Sequence, residues 1–232
     1  MNKIRVGFFS FTEITDPREH RSYNEWHQLD HMPEQYPLDG IAYGQRWVST
    51  PACKEARAAS ETPLDGIHYV TLYLMTEPVE RTLREFMQLG RDLRAADRFH
   101  LARAARLSGP FRYVDARVAP RVLISREAVP YRPNRGVYVQ VEELATGGAG
   151  ELQDQGSHLD ALCAVPGVAG AWSFADDKRR VTVSWLDAPP LEVNTQLAGI
   201  VSYRRAGSPH RTVFAGPLEA ITPWQWDWFE QG

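Results

Sequence analysis

The run SYNEWHQLDHMPEQYPLDGIAYGQRW, residues 22–47, decides the reading of this chain. Its first part has helical spacing, with Tyr23, Trp26, His27 and Asp30 near one face and His31 one turn beyond His27. Ser22 is placed as N-cap with Glu25 three residues on, the capping-box pattern. Pro33 disfavours helical geometry at Met32, so a helix over 21–31 is expected to stop there. Asp39-Gly40-Ile41 then opens an apolar strand over 41–49. A weaker copy follows in the second half. His31-Met32 lies nine residues ahead of Gly40-Ile41-Ala42, and His158-Leu159 lies nine ahead of Gly167-Val168-Ala169. Internal repeats take precedence in reading a fold. This one predicts two copies of one small α+β unit, the first with the richer polar constellation.

Working outward, Ile4–Phe11 is rich in β-formers and reads as a strand, as do 68–75 and 111–118. Residues 50–66 read as a loop over the sheet edge. Helical periodicity runs over 79–107 through Leu83, Phe86, Met87, Leu93, Phe99 and Leu107, with Gly90 as a break. The resulting order is β-α-β-β-α-β, the split βαβ or ferredoxin-like arrangement. Pro120, Pro130 and Pro133 mark a connection, with a short strand expected at 122–124. The pattern restarts with strands over 136–144, 167–175, 179–186 and 211–215 and helices over 151–164 and 189–200. The predicted fold class is therefore α+β, with domains 1–119 and 134–232. The tail spaces Trp224, Trp226 and Trp228 by two, the pattern of an extended arm with one aromatic face.

At 232 residues the chain suits one large domain or two of about 100 residues each. Its hydrophobic share of 43% and charged share of 24% are ordinary for a globular protein. A net charge of -3 gives no broad basic surface, so nucleic acid is not an expected partner. Cys53 and Cys163 stand alone, which argues against a disulfide framework or zinc site and fits a reducing cytoplasm. The opening MNKIRVGFFSF is too short for a membrane span and has no small-residue cleavage site. Seven tryptophans and nine tyrosines suit either large core side chains or an aromatic-walled pocket.

The order of elements, with Trp26-His27, His31, Pro33 and Gly40 leading an aromatic-rich strand, resembles the dimeric α/β-barrel superfamily, and within it the EthD-like branch. The resemblance implies tandem ferredoxin-like repeats forming an α/β barrel, with a ligand cavity between helices and strands. The second half departs from the pattern: Asp160 stands where Pro33 does, and its helix lacks the aromatic-histidine cluster. Members of the superfamily include polyketide-type cyclases, cofactor-free monooxygenases of aromatic substrates, dehydratases and haem enzymes, so fold is implied more firmly than reaction.

His27 and His31 are i and i+4 and lie within reach of one ligand. Four roles stay open for them. They act as general base or acid near neutral pH; they bind a transition metal with Asp30, Glu34 or His68; one ligates haem iron; or both are structural at a helix end. Strand alternation puts Arg46 opposite Tyr43 and Trp47. Tyr43 and Trp47 are expected to line the cavity with Tyr23 and Trp26, because Ala42 and Gly44 on the other face let a helix pack closely. His68 reads as a satisfied edge histidine. Gly147-Gly148 belongs to neither a Walker loop nor a GxGxxG fingerprint. The expected function is histidine acid–base chemistry by His31, with His27, on an aromatic or polyketide-like substrate, with no bound cofactor. The alternative is a non-catalytic ligand-binding protein on the same fold. Further dimerisation of the fused chain is left open, and a polar pocket is expected in the first half only.

Overall fold

The structure, a computed structural model, describes residues 2–145 and 151–230. Gly147-Gly148 lies outside the described residues. In the first half, β1 (Ile4–Ile14) leads to α1 (His20–Trp26), β2 (Ile41–Val48), a short α2 (Pro51–Glu55), β3 (Ala59–Ser60), β4 (Tyr69–Thr76), α3 (Val79–Ala95) and the long β5 (Arg103–Val118). The second half follows with β6 (Gly136–Glu143), α4 (Glu151–Cys163), β7 (Val168–Ala175), β8 (Arg179–Leu186), α5 (Pro190–Gly207) and β9 (Arg211–Ala220).

Every pairing is antiparallel, and the order is β2-β4-β1-β5-β7-β8-β6-β9, with two-residue β3 beside β9. Numbered within each half, leaving out β3, both groups of strands read 2-3-1-4. The halves join edge to edge where β5 pairs with β7, from Arg112–Ala175 to Val118–Gly170. They meet again where β2 pairs with β9, at Trp47–Ala220 and Val48–Glu219. The pairings thus return to the strand from which they started.

Both sheet faces are covered, which is why β4, β6, β7 and β8 are buried at nearly every position instead of alternating. The inner face is a single apolar cluster contributed by both halves, including Phe9, Phe11, Trp47, Trp172, Phe174, Trp185 and Phe214. Phe9 meets Phe174 edge-on at 5.3 Å, and Phe11 meets Phe214 at 6.0 Å. The outer face carries the helices. Phe86 of α3 packs with Val6, Ile41, Tyr73 and Met75, while Leu159, Leu162, Val193 and Leu197 of α4 and α5 pack on Tyr138 and Ala171.

Several boundaries differ from the sequence expectation. Asp16 caps a 3-10 turn over Pro17–Glu19 that runs straight into α1, so the helix has begun before Ser22. Ser22 Oγ donates instead to the Glu19 carboxylate. Beyond Trp26 the chain widens into a π-turn, His27–His31, closed by Met32 N–H donating to the His27 carbonyl at 2.9 Å. Met32 keeps helical angles despite Pro33, and a 3-10 turn follows at Pro33–Gln35. The long helix ends at Ala95, where Asp97 takes a left-handed φ of 57°; Gly90 does not break it. Leu107 matches the helical period, but pairing with β1 recruits it into β5. Residues 50–66 hold α2, capped by Thr50, and β3. Residues 122–124 form no strand. Helix α5 extends to Gly207, and β9 reaches Ala220. The aromatic tail covers α1: Phe229 stacks on His20 at 3.8 Å, Trp226 Nε1 donates to Gln28, and Glu230 pairs with Arg21. Trp224 is exposed and Trp226 buried, so the arm has no single aromatic face. Among the described residues, no helix is long and apolar enough to cross a membrane.

Candidate active site

The π-turn sets His27 and His31 in edge contact, with ring centroids 5.1 Å apart. Trp26 stacks on His31 at 4.6 Å, Phe99 meets it edge-on at 5.4 Å, and Trp26 Nε1 donates to the Arg98 carbonyl. Arg98 also pairs with both Asp30 and Glu34, tying the turn to the segment after α3. Beneath α1, Arg46 Nη2 donates to Asn24 Oδ1 at 2.9 Å, and its guanidinium lies 5.3 Å and 5.6 Å from the Tyr23 and Tyr69 ring centroids.

Between this turn, α3 and the outer face of β1, β4 and β5 lies a cavity of about 280 Å³. Phe8, Phe86 and Phe99 give it apolar walls; Ser10, His27, His31, Gln35, Thr71, Tyr73 and Arg103 give it polar ones, and Arg91 and Arg94 stand on α3. No acidic side chain lines it among the described residues. Burial, then the positive charge of Arg46, hold His27 well below the ordinary histidine range. Burial, then Arg103 and Arg46, hold His31 down to about 4. Both imidazoles are neutral at pH 7, and Nδ1 of each is buried without a hydrogen-bond partner among the described residues.

Of the sequence candidates, His27 and His31 reach the cavity. Tyr23 and Trp26 stand behind them and support the rings. Tyr43 and Trp47 belong to the inner core: Trp47 is fully buried there and Tyr43 packs against that cluster and Tyr131. This corrects their expected place. The small residues of β2 do admit close packing, since a Cβ on Gly44 would stand 2.9 Å from the Tyr73 ring. A cavity between helix and sheet lies on that same helix-covered face, which carries Arg46. Arg103, Tyr73 and Thr71 escape the sequence reading; a charged residue within an apolar strand pattern is the signal that marks Arg46.

Asp30 and Glu34 are committed to Arg98, and His68 Nδ1 accepts from the Ile14 amide. Among the described residues, no three His, Cys, Asp or Glu side chains converge to hold a metal. This cavity is also small for a haem. The cavity lies just under the 300–1,000 Å³ typical of drug-sized ligands, and a tetrapyrrole is larger. In the second half, His158 Nε2 is bonded to Gln140 Oε1 at 2.8 Å, and the neighbouring space holds Glu142 with Arg204 and Arg180. A depression of about 480 Å³ does open between α4 and α5 beside His158, Tyr203 and Arg204, so the expectation of a polar pocket in the first half alone is not met. Its cations, unlike those of the first cavity, have Glu142 as counter-ion.

No family model matches the sequence, and no match was found among curated proteins. Solved structures do resemble it across nearly its full length. A protein provisionally assigned as a chlorite dismutase superposes with a TM-score of 0.57 at 11% identity, covering 99% of both chains. A protein from Fusobacterium nucleatum subsp. nucleatum provisionally assigned as a monooxygenase gives 0.54 at 9% identity, covering 96% of this chain and 94% of that one. A point mutant of chlorite dismutase from Candidatus Nitrospira defluvii gives 0.52 at 9% identity, over 99% and 95%. At such identities the likeness defines the fold alone, and that fold is ferredoxin-like.

Proposed function

We propose that the chain is a fused α/β-barrel enzyme built of two tandem ferredoxin-like units, akin to the EthD-like branch. In this reading His31 is the general base for a small aromatic or polyketide-like substrate, and no bound cofactor is needed. The observation that carries it is a neutral, unpartnered imidazole opening into an aromatic-walled cavity of ligand size. A neutral imidazole takes a proton from an acidic C–H or O–H, leaving an enolate or phenolate; that step serves cyclisation, elimination or attack on oxygen equally. His27, more deeply buried, packs edge-on against His31 and orients it. Names of the similar structures, a monooxygenase and chlorite dismutases, agree with an enzyme on this scaffold.

A general base contributes about 10² to 10⁴-fold in rate. Purified protein is expected to consume a member of a panel of phenols, anthrones and β-ketoacyl aromatics, with His31→Ala losing that factor while its fold and ligand binding persist. Equal turnover by His31→Ala removes the assignment. The second reading, a ligand-binding protein without catalysis, draws on the lack, among the described residues, of a third side chain orienting either histidine Nδ1. A tight-binding panel member recovered unchanged after long incubation selects it. Addition of haem is expected to give no Soret band.

A further inference from the structure

Arg103 lines the cavity, Arg46 is buried nearby beneath α1, and among the described residues no acidic side chain lines the cavity. Arg46 is buried, yet its Nε and Nη1 have no hydrogen-bond partner, and neither has Arg103 Nε. The Tyr73 and Thr71 hydroxyls, from the strand beside Arg46, are also buried without partners. Arg103 lines the cavity together with Tyr73 and Thr71, while Arg46 lies outside that lining, beside the Tyr23 and Tyr69 rings. Nearby acids are spent elsewhere: Asp30 and Glu34 on Arg98, Glu13 on Arg106, Glu19 on Ser22 and His100. A buried guanidinium with unmade hydrogen bonds is costly, and buried charges are ordinarily paired.

We propose that this side of the cavity is an oxyanion subsite, so that the ligand of the cavity is a small aromatic acid. Its carboxylate is received by Arg103 with the Tyr73 and Thr71 hydroxyls, Arg46 adds positive charge from outside the lining, and its ring lies against Phe86 and Phe99. Guanidinium and carboxylate match as fork to fork, and hydrogen bonds between ions are about twice as strong as neutral ones. Arg91 and Arg94 on α3 add a positive wall that favours encounter with an anion. The inference rests on taking this cavity as the functional site.

The test is binding of 2-naphthoate against its neutral isostere 2-naphthamide by calorimetry, with circular dichroism as the check on fold. Wild-type protein is expected to favour the acid at least about ten-fold. Arg103→Gln, at a half-buried position, is expected to abolish the preference and Arg46→Gln to weaken it, while His31→Ala keeps it. Equal affinity for acid and amide, binding of neither, or a preference surviving Arg103→Gln overturns the proposal. None of these readouts needs turnover, so loss of the base assignment and loss of the anion subsite are told apart.

Discussion

Gly40 shows how closely the cavity wall is held. A Cβ built on it would lie 1.8 Å from Thr82 Oγ1 and 2.5 Å from Thr82 Cγ2. Thr82 is buried on α3, where its hydroxyl donates to the Pro78 carbonyl, so it has no free direction to move. Gly40→Ala is therefore expected to push α3 off β2 and cost about 1–3 kcal/mol, the usual scale of overpacking. Chemical denaturation reads the loss, and an unchanged midpoint refutes the contact. At this scale the sequence is partly legible. The glycine opening β2 and the histidine pair stand out by spacing alone. Arg46 stands out too, but on the face expected to be closed, because strand alternation separates two faces without saying which one carries the cavity. Tyr73, Thr71 and Arg103 carry no local signal, since only strand pairing and the end of α3 bring them to His31.

Among elements, the aromatic tail does most to fix α1. Phe229 stacks on His20, whose Nδ1 is bonded to Tyr69 Oη, and Asn24 donates to the same hydroxyl. Ending the chain at Ala220 removes this cover together with the Trp226–Gln28 and Glu230–Arg21 bonds. Allowing on the order of 3 kcal/mol for two partly buried aromatic rings, the melting temperature should fall by roughly 10 °C. An unchanged melting temperature would show that α1 stands without the arm. The arm's aromatic content is plain in the sequence, but its target is not, because it lies some two hundred residues upstream. Helix lengths are misread for a related reason. Helical period continues past Ala95 by coincidence, and an irregular backbone at Asp97 with antiparallel pairing to β1 decides the outcome.

On the scale of the molecule, six histidines held low by burial, His27 and His100 among them, tie stability to pH. His20 and His31 lie at about 4 and His68 and His158 at about 3, against 6.5 for the free side chain. Between those values the unfolded chain binds more protons than the native one, so stability rises with pH. It is complete above about pH 6.5 and is lost as pH falls toward 4 and 3. Moving from pH 7 to pH 5 should lower the melting temperature by at least about 5 °C, and a flat profile would contradict neutral burial. The βαββαβ order is legible because each strand and helix has its own period. The closing contact between β2 and β9 is not, for two residue pairs far apart in sequence leave no local trace.

The turn at His27–His31 has one more consequence. An α-helix bonds each amide four residues back; here Met32 reaches five, to His27. The segment is thus an α-helix that has absorbed a single surplus residue, and such bulges are confined to isolated turns. Excising one residue between the two histidines would leave an ordinary helix, with everything upstream swung by about 100° relative to Pro33 and β2. Arg46 would lose Asn24, and Trp26 would leave His31, although no residue touching either had been replaced. This stretch therefore tolerates exchange of side chains better than a change of length, and its indispensable property is the count of peptide units between Trp26 and Pro33.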